Sequence, residues 1–438
     1  MKEWKLSHYT SIVRCESGDI LLHNSFMGAI ARIPSHYSNG IEKIFQQGIK
    51  EYDISNQVFK ELCDGGFFVL FDLDERKLVS QILDQERESG FSMIILPHEN
   101  CNFRCLYCYE KYERGKMNQD IIVGLKALVA KKVEECKSLA VCWFGGEPLL
   151  AQDIVYELSE SFIDSCSQNN IPYTSSIITN GYLLTPHVVS SLLQRKVKRF
   201  QVTLDGYKTI HDSMRKLKGE GGTYEKILNN LKHMSNRSEE FSVRIRVNFN
   251  DDSISLMEQF FSEISSLFAS DPRFVLNFKP IGKWGGPNDS TLNVCNPESA
   301  WVTQLELIER SLKFGFSDQI IKESLMSHGN VCYASKESTL VVRSDGMICK
   351  CTLAFEDPRN HVGKLTKEGK LLIDQSLWNL WTKLDDKDIS GCVSCLFSPS
   401  CQSRMCPLVA MDQKKPPCPM TKTEYESMVK LVALGRMN

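Results

Sequence analysis

The chain has 438 residues, 42% of them hydrophobic and 24% charged, with a formal net charge of −2; this is the composition of a protein with ordinary cores and excludes a globally basic nucleic-acid binder. No stretch approaches the ~18 consecutive apolar residues of a membrane span, and the opening Met1-Lys2-Glu3-Trp4-Lys5 holds no signal-peptide core, so a cytoplasmic protein without membrane attachment is expected. The unusual quantity is 17 cysteines, which in a long chain without an export signal point to thiolate metal ligation rather than a disulfide scaffold.

Residues 1–90 read as a small α+β module. Ser11–Cys15 and Asp19–Leu22 pattern as a hairpin around Glu16-Ser17-Gly18, helical periodicity follows near Ile41–Phe45 and Val58–Leu62, and Gly65-Gly66 stops the second helix. Phe67–Phe71 reads as a buried strand and Glu75–Leu83 as a third helix, an order that suggests a winged-helix-like fold. A winged-helix DNA binder does not fit the charge: the module holds 10 Lys/Arg against 14 Asp/Glu, the wrong sign for a phosphate-binding face.

From residue 91 to 284 strands and helices alternate. Strands are predicted at Ser92–Leu96, Ala140–Phe144, Ser176–Thr179, Phe200–Leu204, Val243–Val247 and Phe274–Phe278, with helices such as Asp120–Lys132, His187–Gln194 and Ile254–Leu267 between them. Strands joined by crossover helices imply a parallel sheet, closed or partly closed as a barrel, whose chemistry sits at the carboxyl ends of the strands. Residues 285–331 form a bridging region that opens on a Gly/Pro/Asn-rich loop, and 332–438 have too little apolar sequence for an independent core.

The cysteines are not evenly spread. Cys15, Cys63, Cys136, Cys142 and Cys166 are isolated and read as core filler. Cys101, Cys105 and Cys108 form C-x3-C-x2-C just past the first barrel strand, and Gly145-Gly146-Glu147-Pro148 follows the second. Three thiolates on one short loop suit three irons of a cubane; a zinc site short of one ligand or a reactive thiol pair are the alternatives. With its aromatic Tyr107 before the third cysteine, this arrangement resembles the radical S-adenosylmethionine (SAM) superfamily. The resemblance implies a partial (β/α)6 radical SAM barrel in an α/β fold, with a [4Fe–4S] cluster on Cys101, Cys105 and Cys108. It further implies that SAM chelates the open iron and meets Gly145, Gly146 and Glu147 through its ammonium. Thr179-Asn180-Gly181, Thr203-Leu204-Asp205-Gly206 and His211-Asp212-x-x-Arg215 follow in the family's order, so Tyr107, Thr179, Asn180, Thr203 and Arg215 are the other expected SAM contacts. Thr203 stands where relatives often have Ser and keeps the hydroxyl.

The C-terminal cysteines read Cys332-x13-Gly346-x4-Cys351, then Cys392-x2-Cys395-x5-Cys401-x4-Cys406, then Cys418. Zinc-ribbon ligation would use only part of this set. The pattern is similar to the SPASM extension of radical SAM enzymes, departing by one residue between Cys401 and Cys406. By that resemblance residues 332–438 form a cysteine-rich Fe–S domain with two auxiliary clusters, making three [4Fe–4S] clusters in all. Cys332, Cys351 and Cys406 belong to the first auxiliary cluster; Cys392, Cys395, Cys401 and Cys418 belong to the second. A fourth ligand of the first is sought in Cys295, in Cys349 or in an open iron, with Cys295 preferred.

SPASM relatives mostly act on peptides, and residues 1–90 resemble the leader-recognition element of maturases of ribosomally made peptides; the blander reading is a structural cap on the barrel. The implied partners are a precursor peptide and an electron donor such as flavodoxin or ferredoxin, with no nucleic acid and no membrane. The implied reaction is oxidative installation of an intramolecular thioether or carbon–carbon crosslink. Oxidation of Cys or Ser to formylglycine by a sulfatase-type maturase is the alternative, against which stands Thr352 in place of an Asp after Cys351. A zinc-structured binding or regulatory protein is the alternative outside the enzymes.

Overall fold

The computed structural model describes residues 3–50, 56–87, 90–219, 221–383 and 390–435. The chain divides into two compact units, one of residues 1–88, 318–336 and 380–438, the other of residues 89–317 and 337–379.

The first unit contains β1 (Glu3–Leu6), β2 (Thr10–Arg14), β3 (Ile20–Asn24), β4 (Ile30–Ile33), β5 (Ile49–Lys50) and β6 (Phe68–Leu70). They form two three-stranded sheets, β2-β3-β4 and β5-β1-β6, all antiparallel. The expected hairpin is β2–β3, turned at Gly18 with φ +83°, and the expected helices are Ser38–Gln47, Gln57–Asp64 and Glu75–Arg87. Ile20, Leu22, Ile33, Ile41, Ile49, Leu62, Phe67 and Phe68 make its core. The C-terminal helix Lys422–Leu434, started by a capping box between Thr421 and Glu424, packs on β2–β4. Its Tyr425 hydroxyl lies 2.5 Å from His23 Nδ1 and 2.7 Å from Ser11 Oγ, both buried.

The second unit is built on β7 (Phe91–His98), β8 (Phe103–Cys105), β9 (Leu139–Gly145), β10 (Tyr173–Thr179), β11 (Val197–Thr203), β12 (Arg215–Leu217), β13 (Ser242–Phe249) and β14 (Phe274–Pro280). It is completed by β15 (Thr339–Val342), β16 (Met347–Cys349), β17 (Gly363–Leu365) and β18 (Leu371–Ile373). Ten of these strands share one sheet in the order β14-β13-β11-β10-β9-β7-β15-β16-β17-β18. The six expected barrel strands run parallel, each joined to the next by a helix, as right-handed crossover units require. β14 pairs with β13 alone, so the sheet stays open there. Burial alternates strictly along β9 and β10, because one face meets the crossover helices and the other faces the interior of the partial barrel. Caps set the helix starts: Asn118 accepts from Ile121 N–H and Thr185 from Val188 N–H, with Pro186 opening the latter helix.

The division at 88/89 falls within two residues of the expected boundary at 90, and the other divisions fall at 317/318, 336/337 and 379/380, against expected boundaries at 284 and 331. Strands β15–β18 belong to the barrel sheet because β7 has a free edge, which β15 takes in parallel register from Thr339↔Ser92 to Val342↔Ile95. The rest of the C-terminal region joins the N-terminal module, whose sheet offers apolar cover to Lys422–Leu434. Among the described residues no helix is long and apolar enough to cross a membrane.

His23 gives this packing a measurable signature. It is 0% exposed, and burial pushes its imidazole down to about 4. The folded value lies below the unfolded one, so the stability it contributes above pH 6.5 is lost as pH falls toward 4. From this group stability should drop by about 2 kcal/mol between pH 7 and pH 5. Urea unfolding of the full chain should show that drop flattened in His23→Gln; identical pH profiles of the two proteins would refute it.

Candidate active site

Cys101 follows the end of β7, and β8 then carries Cys105 back in an antiparallel ribbon with β12, placing Cys105 opposite Arg215. Leu106 N–H to the Met214 carbonyl (2.9 Å) and Lys218 N–H to the Asn102 carbonyl (2.8 Å) extend that ribbon. From the other side the end of β9 closes on the loop. Gly146 N–H donates to the His98 carbonyl at 3.2 Å and Glu147 N–H to the Asn100 carbonyl at 3.1 Å. A Cβ on Gly145 would stand 2.4 Å from the His98 oxygen and one on Gly146 2.5 Å from the Asn100 oxygen, and Gly145 sits at φ +131°. Only glycine permits this approach.

Glu147 is wholly buried. Its carboxylate accepts from the Thr179 hydroxyl at 2.8 Å, Asn180 N–H at 2.8 Å and Leu149 N–H at 3.0 Å. Burial raises its pKa while these donors oppose the rise. Asn180 reaches on with its side-chain amide to Asn102 Oδ1 at 2.7 Å and toward Cys101 Sγ at 3.7 Å. These bonds join Glu147, Thr179 and Asn180, all expected SAM contacts, to one another and to the cysteine loop.

The three thiols are near enough to act on one another: burial raises Cys101 most, and the charges of Glu147, Cys105 and Cys108 add to it. Burial brings Cys105 to about 11 against the pull of the Arg215 guanidinium. Phe103 N–H points at Cys101 Sγ at 3.3 Å. Thiols crowded on one loop, raised when unligated and faced by N–H donors and a guanidinium, suit soft metal ligation, where binding itself drives deprotonation. Among the described residues no three His, Cys, Asp or Glu side chains close on one point as ligands of a single ion. The residues present fit a cluster, which takes its thiolates on separate irons.

Beside the loop lies a buried polar node. Tyr107 donates its hydroxyl to Asp205, receives Arg215 Nη1 at 2.6 Å and receives Asn248 Nδ2 at 3.1 Å. Asn248 also donates twice to Asp205 Oδ1, at 2.8 and 3.0 Å. Arg215 is 5% exposed and its Nε is buried with no partner among the described residues. His211 holds this node from behind. Its Nδ1 accepts from Asp205 N–H at 3.0 Å, so its Nε2 carries the proton and donates to Thr223 Oγ1 at 3.0 Å, which donates to the Arg215 carbonyl at 2.7 Å. Burial and Arg215 keep His211 neutral, as this tautomer needs. Thr203 ends β11, buried, in register with Arg246.

Asp205 and Asn248 were not singled out by sequence reasoning. Asp205 was hidden inside a strand-end Asp-Gly that usually means only a turn. Asn248 had a faint signal, the alternation Arg244, Arg246, Asn248 along one face of a strand whose other face is Val243, Ile245, Val247.

The auxiliary cysteines fall in both units. In the first, Cys401 is raised to about 11 by burial and by the charges of Cys392, Cys395 and Cys418, so each of these three lies within electrostatic reach of Cys401. Also there, Cys332 N–H bonds the Arg404 carbonyl at 2.8 Å, near Cys406 in the chain. In the second unit Cys351 is buried and its Sγ receives Leu353 N–H at 3.4 Å. Cys349 is 0% exposed and raised to about 12 by burial. Cys295 is 5% exposed, 4.0 Å from the Phe249 carbonyl, and raised to about 11 by burial and by Asp251.

Residues 95–260 match the sequence profile of the Radical SAM superfamily. The chain is 24% identical over 341 residues to the cysteine-type anaerobic sulfatase-maturating enzyme of Clostridium novyi, spanning 72% of this chain and 87% of that enzyme. It is 31% identical over 179 residues to GTP 3′,8-cyclase of Clostridium perfringens, spanning 38% of this chain and 50% of the cyclase. Among solved structures it is similar to native anSMEcpe with bound AdoMet and Cp18Cys peptide, with a TM-score of 0.58 and 18% identity over 80% of this chain and 99% of that one. At that identity the structural likeness speaks for the fold. The parallel strands, the cysteine loop after the first of them and the profile that spans both make one conclusion: the chain carries a radical SAM domain.

Proposed function

We propose that this protein is a radical SAM peptide maturase that oxidatively installs an intramolecular crosslink, thioether or carbon–carbon, in a ribosomally made precursor peptide. The observation that carries the reading is the loop of Cys101, Cys105 and Cys108, locked by Gly145 and Gly146 beside the buried Tyr107–Asp205–Arg215 node. Those cysteines would hold a [4Fe–4S] cluster, and SAM would meet Gly145, Gly146 and Glu147 through its ammonium and lie against Tyr107, Thr179, Asn180, Thr203 and Arg215. Bound there, cluster and SAM supply a 5′-deoxyadenosyl radical able to remove hydrogen from an unactivated carbon. The protein's part is placement. Arg215, nearly excluded from water, would present a cation to the SAM carboxylate where such a contact is strong, and the bonds among Glu147, Thr179 and Asn180 steady the loop.

Cys392, Cys395, Cys401 and Cys418 would carry one auxiliary cluster, and Cys332, Cys351 and Cys406 another, with Cys295 as its fourth ligand. Such clusters suit the acceptor role that a two-electron oxidation of a peptide requires, and flavodoxin or ferredoxin would supply the starting electron. Residues 1–90 would receive the leader. Two features support this: the acidic balance of the module, and the edge strands β4 and β6, to which an extended peptide can add as a further strand. The similarity to a cysteine-type sulfatase-maturating enzyme over 72% of the chain favours formylglycine formation as the second reading, while Thr352 after Cys351 counts against it.

Anaerobic reconstitution should yield about 12 irons per chain, and the Cys101/Cys105/Cys108→Ala variant about 8 with no 5′-deoxyadenosine formed. Stoichiometric zinc in place of iron after anaerobic purification would sink the reading.

Arg215→Met strips the charge partner from Tyr107 and Asp205. It should destabilise the protein by ~3 kcal/mol and weaken SAM binding about 10-fold, as read by thermal melting and anaerobic equilibrium dialysis. Unchanged SAM affinity would remove Arg215 from the SAM site.

A further inference from the structure

The face of the sheet that carries the active site also carries cations that the site above does not use. On β13, Val243, Ile245 and Val247 are wholly buried, while Arg244, Arg246 and Asn248 alternate onto the other face. Asn248 Nδ2 reaches the Tyr107 hydroxyl at 3.1 Å, so that face is the one turned to the cysteine loop. On β14, Phe278 meets Phe261 of the helix Met257–Phe268, ring centroids 5.8 Å apart. Its neighbours Asn277 and Lys279 therefore turn the opposite way, onto the face of Arg246 and Asn248, their register partners.

Lys279 is half-buried, and no acidic residue among the described ones pairs with its ammonium. Burial, then the charges of Arg246 and Arg244, push its pKa down. Arg246 Nε bonds the neutral Asn248 Oδ1 at 2.8 Å. Like charges gathered on adjacent strands, partly out of water, repel unless an anion joins them.

We propose that Arg246 and Lys279 form the seat for a carboxylate of the peptide substrate, an aspartate, a glutamate or the chain end, toward the carboxyl ends of β13 and β14. The inference rests on the reading that the chain acts on a peptide, and makes the substrate an acidic one. SAM also bears a carboxylate, but Arg215 stands opposite Cys105 on the cysteine ribbon itself, whereas the cation row lies on the two strands at the open end of the sheet.

The test uses the reconstituted full-length protein at saturating SAM, with N-acetyl hexaglutamate and hexaglutamine, each bearing the same neutral dye, as probes in fluorescence anisotropy. Wild type should bind hexaglutamate the tighter. Arg246→Gln/Lys279→Gln should weaken hexaglutamate about 10-fold and leave hexaglutamine unmoved, and Lys279→Arg should keep the wild-type affinity. Iron content and thermal melting of the variants report whether they fold. Equal binding of the two peptides by wild type overturns the inference, as does a variant that loses SAM affinity instead, since the cations would then serve SAM. Neither result touches the parent reading, which is tested separately by metal content and by 5′-deoxyadenosine formation in the wild type.

Discussion

Everything in the active site depends on how closely the end of β9 lies against the segment that leaves β7. Backbone meets backbone there, with the carbonyls of His98 and Asn100 where side chains on residues 145 and 146 would have to be. The two hydrogen bonds of this contact hold His98 and Asn100, and Asn100 Oδ1 in turn accepts from Cys101 N–H at 2.8 Å. A loop of three cysteines is entropically expensive to hold in one shape; it is fixed on one side by the glycine strap and on the other by the β8–β12 ribbon. Glu147 belongs to the same device, since it extends the strap to Thr179 and Asn180 at the end of the next strand.

A second level of organisation is electrostatic. The barrel interior holds Asp205, Arg215, Tyr107 and His211 with little water, where an unpaired group would cost several kcal/mol. Apart from Arg215 Nε, each is matched: Asp205 to Tyr107, Asn248 and Arg215, and His211 to the Asp205 N–H and Thr223. Neutral histidine is the right choice behind Arg215, because a second positive charge there would oppose the first. Asp212 plays a humbler part, accepting from Thr223 and Tyr224 N–H to start the helix Tyr224–Ser235. The motif His211-Asp212-x-x-Arg215 thus combines a brace, a helix start and the cation of the Tyr107–Asp205 node within one short run of chain.

The C-terminal region follows another rule. Its short strands and turns bury too little to fold alone, so they complete what other segments leave unfinished: β15 takes the free edge of β7, and Lys422–Leu434 covers β2–β4. Edges and bare sheet faces are the places a folding chain must cover, and here they divide one stretch of sequence between two compact units.

By itself the sequence determined the six parallel strands, their helices and the cysteine loop. Those features are local: period-two burial, Asn and Thr caps, Gly-Gly at a strand end and thiols at fixed spacing are readable one window at a time. Only tertiary structure decided the rest. That Glu147 faces Thr179 and Asn180 rather than open space, that Asn248 joins Tyr107, and that Lys279 lies on the face of Arg244 and Arg246 all depend on strand register. So does the assignment of β15–β18 to the barrel sheet. Register and edge pairing are settled between segments far apart in the chain, by the burial of both partners together, and no single window of sequence contains that information.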